Sequence, residues 1–111
     1  MQEKSKTLKL VLTNHWFDEI KSGRKKYEYR KATPFWLKRI MNACNCIVIS
    51  SQIYFELPEE NMPFVEFQKA YKKNAEKMTF KIKSISTIPG THTDLQCDSF
   101  VYAIRLGRRI S

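Results

Sequence analysis

The sequence predicts an α+β fold, a small and mostly antiparallel β-barrel of about five strands with two or three short helices at its rim. Three observations support this. The chain has 111 residues, which suffices for one hydrophobic core but not for two. Its apolar content of 42% is that of a compact globular protein. Short segments with the period of a strand are separated by turns and short helical segments. We therefore expect residues 1–111 to form a single domain.

The N-terminal segment predicts a strand followed by a helix. Residues 7–12 are rich in β-forming side chains, and leucines two positions apart share one face. Thr13 or Asn14 can then cap a helix that runs to about Ser22, since apolar side chains recur there at helical spacing. Gly23 follows, and glycine suits the left-handed conformation just past the end of a helix.

The middle of the chain predicts a strand, a helix and a central strand. Residues 25–31 form the second strand, in which two tyrosines share one face. Thr33-Pro34 is a helix start, because a hydroxyl can cap the first turn and proline lacks only an N–H that would be unpaired there. This helix ends near Asn42. Residues 46–55 are the most apolar run, which we interpret as the central strand.

The C-terminal half predicts a loop, a helix and two further strands. Residues 56–63 contain two prolines and three acidic side chains, so we expect a loop. Residues 64–73 carry aromatic side chains at helical spacing, which predicts a helix. Residues 79–85 alternate as a half-exposed strand. Pro89-Gly90 marks a turn, and residues 99–106 form the closing strand before a basic tail.

Positive charge is concentrated in the N-terminal part of the chain. The formal net charge is +9, and residues 1–42 hold 11 Lys or Arg against 4 Asp or Glu, a net of +7. An uneven positive field favours an anionic partner, of which nucleic acid is the commonest. The alternative is a solvated basic surface that only keeps the protein soluble.

The cysteines and the absence of targeting patterns predict a cytoplasmic protein without metal or cofactor, and a monomer by default. Three cysteines are an odd number, and Cys44 and Cys46 are too close for an easy mutual bridge. With Cys97 and His92 they could supply four zinc ligands, but their C-x-C spacing is unusual for zinc, so we favour inert thiols. No apolar run approaches the ~20 residues that span a bilayer, and no secretory signal is visible. Phosphate-binding loops, dinucleotide fingerprints and H-E-x-x-H motifs are also missing from the sequence.

Residues 23–30, with the sequence GRKKYEYR, are the most informative stretch. In a regular strand Glu28 and Arg30 point to one face, and Lys25 joins them only if the chain near Gly23 is still turning. An ammonium, a carboxylate and a guanidinium that converge beside a helix end can bind a phosphate or a polar base edge, and can move protons. The alternative is a Glu–Arg cross-link that only steadies a basic strand.

Lys25 is also a candidate base. Clustered cations disfavour an additional positive charge, which predicts that the pKa of Lys25 lies below the usual lysine value. Lys25 and Glu28 are therefore the candidate catalytic residues.

The motif Gly23-x-Lys25-x-x-Glu28-x-Arg30 follows a predicted strand and a helix that contains Trp16-Phe17. In this it resembles the ASCH domain family, whose signature is G-x-K-x-x-E-x-R and which is related to the PUA-like RNA-binding β-barrels. The stretch 34–39, the segment 70–78 and the final Leu106-Gly107 also resemble the small phage- and prophage-type members of that family.

The resemblance implies a PUA-like barrel with a cleft in which Lys25, Glu28 and Arg30 face the ligand. Family members are proposed to bind RNA or modified nucleotides, and they include an acetylcytidine amidohydrolase and a ribonuclease. In the amidohydrolase a lysine that matches Lys25 is the base and activates a threonine at the position of Glu28. A carboxylate cannot be that hydroxyl nucleophile, so we do not expect the same covalent route. A downstream acidic residue of that enzyme has no counterpart that the sequence reveals.

Four aromatic side chains are candidates for stacking on bases. Tyr27 and Tyr29 flank the charged residues, and packing within the barrel is the alternative for both. Trp16 is a further stacking candidate. The helical spacing of Trp16 and Phe17 predicts that at least one of the two packs in the core.

Five further side chains are candidates for ligand contacts on the surface. Lys38 and Arg39 are either phosphate contacts or a solvated helix face. Tyr71, Lys73 and Asn74 either form a wall of the cleft or lie on a surface loop.

Three functions remain open at this point. The first is binding of RNA or a nucleotide, in which Lys25 and Arg30 hold phosphate and Glu28 accepts from a base amino group or fixes Arg30. The second is hydrolysis of RNA or a modified nucleoside, with Lys25 as base and Glu28 as acid or water-positioning group. The third is interaction with a protein partner through the basic face.

Overall fold

The fold is built on a curled five-stranded sheet with two helices against it. The structure is a computed structural model that describes residues 7–43, 47–49, 52–54 and 63–111. The elements in chain order are β1 (Leu8–Leu12), α1 (Asn14–Lys21), β2 (Tyr27–Lys31), α2 (Pro34–Ala43), β3 (Ile47–Ile49), β4 (Gln52–Tyr54), β5 (Phe64–Lys69), β6 (Lys77–Pro89), a 3-10 turn (Gly90–His92) and β7 (Phe100–Arg109).

The sheet is mixed, and it forms a half-barrel. Its strand order is β1-β5-β6-β7-β2, so β1 and β2 are the two edges. β1 pairs with β5 in parallel, whereas the other three pairings are antiparallel. A long connection runs from β1 to β5, and parallel pairing requires such a crossover. The predicted α+β class is confirmed, and the sheet is mostly antiparallel as expected, although the one parallel pair makes it mixed. Instead of a complete barrel, it is a half-barrel, which is compatible with a barrel-like fold.

The core lies between the concave face of the sheet and the helices. On β1 the three leucines are buried and alternate with more exposed side chains, as the strand period requires. Phe17 and Ile20 of α1 pack against them, together with Phe67 of β5. Because Phe17 is fully buried, it stabilises the docking of α1 by about 2–3 kcal/mol.

The N-terminal elements follow the sequence prediction closely. Gly23 has a φ of +87°, the left-handed conformation expected beyond α1. Thr13 is the residue before α1, but its hydroxyl makes no capping hydrogen bond, and only its carbonyl oxygen accepts from the Phe17 N–H at 3.0 Å. At α2 the predicted cap is present, since Thr33 Oγ1 accepts from the Trp36 N–H at 3.4 Å. β2 begins at Tyr27 rather than Lys25, because the turn at Gly23 continues through Lys26.

Two predicted elements in the middle of the chain are wrong. The helix predicted over residues 64–73 is the strand β5, in which Val65 and Phe67 are buried and their neighbours are partly exposed. The strand period therefore prevails over the helical spacing of the aromatic residues. The central strand predicted over 46–55 is instead the separate antiparallel pair β3 and β4, with Ile49 opposite Gln52. Cys44, Cys46 and most of the predicted loop 56–63 lie outside the described residues.

The last two strands confirm the prediction and extend it. β6 includes residues 79–85 and continues to Pro89, where the chain turns as expected from Pro89-Gly90. β7 covers the predicted closing strand and runs on to Arg109. This long hairpin lies at the centre of the sheet and carries the loop at residues 90–99 to the side where β2 lies. No helix in the described ranges is long and apolar enough to cross a membrane.

Candidate ligand-binding cleft

A cleft lies between the two edge strands of the half-barrel. It encloses about 300 Å³, at the low end of the range typical of small-molecule sites. The side chain of Arg30 on β2 reaches the opposite edge, where its Nη2 donates to the Val11 carbonyl at 3.3 Å. The cleft is lined by Val11, Leu12, Thr13, Trp16, Lys25, Glu28, Tyr29, Arg30, Lys31, Trp36, Asp94 and Leu95.

The turn after α1 places Lys25 in this cleft. The Gly23 N–H donates to the Ile20 carbonyl at 3.1 Å, and the Lys25 N–H donates to the Glu19 carbonyl at 3.1 Å. On the other side, the Leu106 N–H of β7 donates to the Lys26 carbonyl at 3.0 Å. Because the turn is held by both α1 and β7, the side chain of Lys25 enters the cleft and is only 10% exposed.

Lys25, Glu28 and Arg30 converge, as the sequence analysis anticipated. Glu28 is the central member and its side chain is 7% exposed. Its Oε1 lies 3.3 Å from Lys25 Nζ, and its Oε2 accepts from Arg30 Nη2 at 2.7 Å. One carboxylate thus lies between two mostly buried cations, which explains an acidic residue in so basic a stretch.

Asp94 is a fourth member that the sequence analysis missed. Lys25 Nζ donates to Asp94 Oδ2, so its charged neighbours are two carboxylates rather than the cluster of cations assumed from the sequence. The electrostatic argument for Lys25 as a base therefore loses its premise, and the catalytic role stays a prediction. Asp94 is 69 positions away in the chain, and only the pairing of β7 with β2 and β6 brings its loop here.

The loop that carries Asp94 is held by internal hydrogen bonds. Thr93 is buried, and its Oγ1 donates to the Gly90 carbonyl at 2.9 Å and accepts from the Leu95 N–H at 3.2 Å. Gly90 has no room for a side chain, because a Cβ there would lie 2.4 Å from Cys97 Sγ. The position of Asp94 therefore depends on close packing behind the loop.

Aromatic rings surround the cations of the cleft. Lys25 Nζ lies 4.1 Å from the ring centre of Trp16 and 5.5 Å from that of Tyr29. Arg30 Cζ lies 4.8 Å from the ring centre of Trp36. These distances are within the range of cation–π attraction. Of the two aromatic residues on α1, Phe17 packs in the core as expected, and Trp16 is half-buried at the cleft.

Tyr27 and Tyr29 share one face of β2, as predicted. Their rings are nearly parallel, with centres 6.1 Å apart and an angle of 10° between the planes. Burial raises the pKa of Tyr29, and the negative charge of Asp94 raises it further. Tyr29 therefore keeps its proton, and it presents a neutral hydroxyl to the cleft.

Arg30 has a buried hydrogen-bond donor that finds no partner among the described residues. Its Nε is buried and makes no hydrogen bond to any residue that the structure describes. Leaving such a group unpaired costs about 1–3 kcal/mol, so buried donors are nearly always satisfied. A bound ligand with an acceptor at this point would remove that cost.

The remaining candidate residues lie outside the cleft. Lys38 and Arg39 are exposed on α2, and Arg39 Nη2 donates to the Lys9 carbonyl at 2.9 Å. Tyr71 is 89% exposed, and it lies with Lys73 and Asn74 in the connection between β5 and β6. Two of the five candidates thus lie on an exposed helix face, and the other three lie in a surface connection.

Nothing in the described part of the chain suggests a metal centre. No group of three or more His, Cys, Asp or Glu among those residues is placed to hold a metal ion.

Comparisons of this chain with protein-family models, with curated proteins and with solved structures found no match.

Proposed function

We propose that the protein binds RNA or a nucleotide as an ASCH-type domain, with one base inserted between the edge strands β1 and β2. The observation that carries the proposal is the Lys25–Glu28–Arg30 network, which lies among aromatic rings at a cavity of about 300 Å³. The charges give polar contacts, and the rings give flat apolar ones. A nucleobase requires this combination, because it is read by its polar edge and held by its face.

Stacking supplies the sequence-independent part of the proposed affinity. Trp16, Tyr29 and Trp36 line the cavity and are only partly buried, and a cation of the cleft already lies over each of these rings. A stacked base would therefore use the exposed part of a ring or displace that cation. Stacking of one base on an aromatic side chain contributes about 1–3 kcal/mol.

We expect Arg30 and Glu28 to recognise the polar edge of the base. The unpaired Nε of Arg30 is a buried donor that a carbonyl or ring nitrogen of a base would satisfy. Each oxygen of Glu28 already faces one cation, but a carboxylate oxygen can accept more than one hydrogen bond. Glu28 can therefore also accept from an exocyclic amino group.

Lys31 is better suited to the phosphate than Lys25 or Arg30. Lys25 and Arg30 are neutralised by carboxylates within the cleft. Lys31 lines the same cavity and is exposed, and it has no ion pair with another described residue. An exposed, uncompensated lysine is the group that gains most from a phosphate.

The test compares two arginines that flank the same indole ring. Arg30 and Arg39 lie 4.8 Å and 5.2 Å from the ring centre of Trp36, but only Arg30 lines the cleft. We expect Arg30→Lys to weaken binding of the nucleoside 5′-monophosphates about tenfold or more, because lysine keeps the charge but lacks Nε. Arg39→Lys should leave the affinity unchanged. Calorimetric titration measures both, after urea denaturation has shown that each variant is folded.

Two results would contradict the proposal. One is that the unaltered protein binds no nucleotide or RNA at low salt. The other is that the two arginine variants weaken binding equally, since a non-specific basic surface would not distinguish them.

Hydrolysis is the second candidate, and one observation favours it. Lys25 contacts the carboxylates of Glu28 and Asp94 inside the cleft, so an ammonium that can donate a proton lies beside carboxylates that can accept one. NMR spectra of short RNAs and modified nucleosides, followed for several hours with the protein, would show new ligand signals if it is an enzyme. Those signals should disappear with Lys25→Met and remain with Lys38→Met, which lies outside the cleft.

A further inference from the structure

We infer that the ligand is single-stranded and at least two nucleotides long, and that a second cavity beside the cleft receives the neighbouring base. This inference rests on the proposed function. The second cavity encloses about 510 Å³. Four residues line both cavities, namely Trp16, Lys25, Tyr29 and Asp94, so the two spaces adjoin along a shared wall. A base in the first cavity therefore places its neighbour at the entrance of the second.

Tyr27 supplies a stacking face to the second cavity. It lines this cavity but not the first, and it is 37% exposed. Its ring is nearly parallel to that of Tyr29, which lines both cavities. Two parallel rings on one strand face offer surfaces to successive bases, which is how single strands are held without base pairing.

Lys26 supplies an uncompensated positive charge at the second cavity. Two of the other cations that line it are paired, since Arg24 Nε lies 2.8 Å from Glu19 Oε2 and Lys25 pairs with Asp94. Lys26 is exposed and makes no ion pair with the residues in the described ranges. It therefore parallels Lys31 at the first cavity, and the two exposed lysines flank the path of a nucleic acid backbone.

The ligand must be unpaired to use both cavities. A base inserted between the edge strands has its pairing edge occupied by Arg30 and Glu28, so it cannot also pair with a complementary strand. This excludes duplex RNA and favours an unstacked single strand.

The experiment compares ligands with one phosphate each and either one base or two. We expect a dinucleoside monophosphate such as UpU to bind about tenfold or more tightly than the nucleoside monophosphate UMP, with the same comparison made for A, C and G. UpU carries less negative charge than UMP, so a gain for UpU cannot be electrostatic. NMR titration of the labelled protein gives both affinities and shows which residues are affected.

Matched tyrosine variants locate the second base. Tyr27→Leu keeps an apolar side chain but removes the flat ring, and we expect it to abolish the advantage of UpU while leaving the affinity for UMP unchanged. Tyr71→Leu, at an exposed tyrosine outside both cavities, should change neither affinity. Lys26→Gln should reduce the salt dependence of UpU binding but not that of UMP binding.

The outcomes separate the inference from the proposed function. The unaltered protein could bind one- and two-base ligands with equal affinity, in a way that still depends on Arg30. That result would overturn the proposed role of the second cavity and leave the proposed role of the first. Equal weakening of both ligands by Tyr27→Leu would also overturn it. Absence of binding by either ligand class would overturn the proposed function itself.

Discussion

Two groups of ion pairs among the described residues have the same chemistry and different surroundings. The cleft pairs join Lys25 and Arg30 to Glu28 and Asp94, with the Glu28 side chain 7% exposed. The surface pairs lie around α1: Lys21 with Glu76, Arg24 with Glu19, and Lys69 with Asp18. The side chains of Lys21 and Glu76 are 45% and 42% exposed. Water can replace a lost partner at the surface, whereas the charges of the cleft depend on one another.

This difference bears on why the cleft pairs exist. A mostly buried ion network is a weak device for stability, because apolar side chains of similar size would stabilise the same region as well or better. The network also leaves Arg30 Nε without a hydrogen-bond partner among the described residues. Charges that add little to stability but are arranged around a cavity are better explained by ligand binding, as we propose.

The largest effect is expected from neutralising the centre of the network. Glu28→Gln retains shape and one acceptor but leaves Lys25 and Arg30 less compensated, so we expect a loss of about 2–3 kcal/mol in the free energy of unfolding. This is less than the penalty for breaking a fully buried pair, because Asp94 still faces Lys25. Urea denaturation measures the change.

Glu76→Gln is the matched control at the surface. It removes the same charge from a lysine partner at 2.5 Å, and we expect little change in stability because both side chains are exposed to water. If the two substitutions destabilise the protein equally, the distinction between the cleft and the surface pairs fails. A stabilising Glu28→Gln would show that the cleft charges are strained rather than mutually compensated.

A smaller effect is expected from disturbing the loop that supplies Asp94. In Gly90→Ala the new Cβ would lie 2.4 Å from Cys97 Sγ and 2.7 Å from the Ser99 carbonyl oxygen, so the loop must shift. We expect a loss of about 2 kcal/mol in the free energy of unfolding. Weaker ligand binding should accompany it, because Asp94 moves with the loop.

Gly23→Ala, in the turn that brings Lys25 into the cleft, is the comparison for Gly90→Ala. Apart from its chain neighbours, no described residue has a heavy atom within 4 Å of a Cβ at Gly23, so only its φ of +87° opposes a side chain, at about 1 kcal/mol. An equal or larger effect at Gly23 would mean that close packing behind Gly90 does not hold the loop. Both variants can be compared in the same urea titrations.

The sequence predicts those residues of the cleft that lie close to one another in the chain. Lys25, Glu28 and Arg30 lie within six positions, and Gly23 indicates the turn that brings Lys25 round. Asp94 lies on a loop between two strands that flank one another in the sheet, and no local spacing connects it to Lys25. Its contribution depends on the order of strands, which periodicity does not specify.

The same limit explains the errors in the fold. The aromatic residues of β5 fit a helical spacing, yet Val65 and Phe67 are buried and alternate with partly exposed neighbours, which fits a strand equally well. The sequence of a short apolar segment does not distinguish a helix from a strand unless its pairing strands are known. Here β1 and β6 pair with β5 on its two sides. The parallel pairing of β1 with β5 joins segments more than fifty residues apart, and no pattern within either segment predicts it.

The smallest expected effects are changes in pKa, and they test the difference between the cleft pairs and the surface pairs most directly. The hydrogen bond from Lys21 lowers the pKa of Glu76, so this carboxylate stabilises the fold above its ordinary pKa. That contribution is lost as the pH falls through the lowered value. In Lys21→Met the pKa of Glu76 should return towards its ordinary value, since the partner is the main cause of the shift. Carboxyl carbon NMR shifts recorded against pH give the result.

Tyr29 should behave differently when its charged neighbour is removed. Its pKa is raised mainly by burial and then by Asp94, so it stabilises the fold below the ordinary tyrosine value of about 10. This contribution is lost as the pH rises through the raised pKa. Asp94→Asn should therefore lower the pKa of Tyr29 only in part, because burial remains. A complete return to the ordinary value would show that the cleft is open to water, and that its charges do not differ in kind from those around α1.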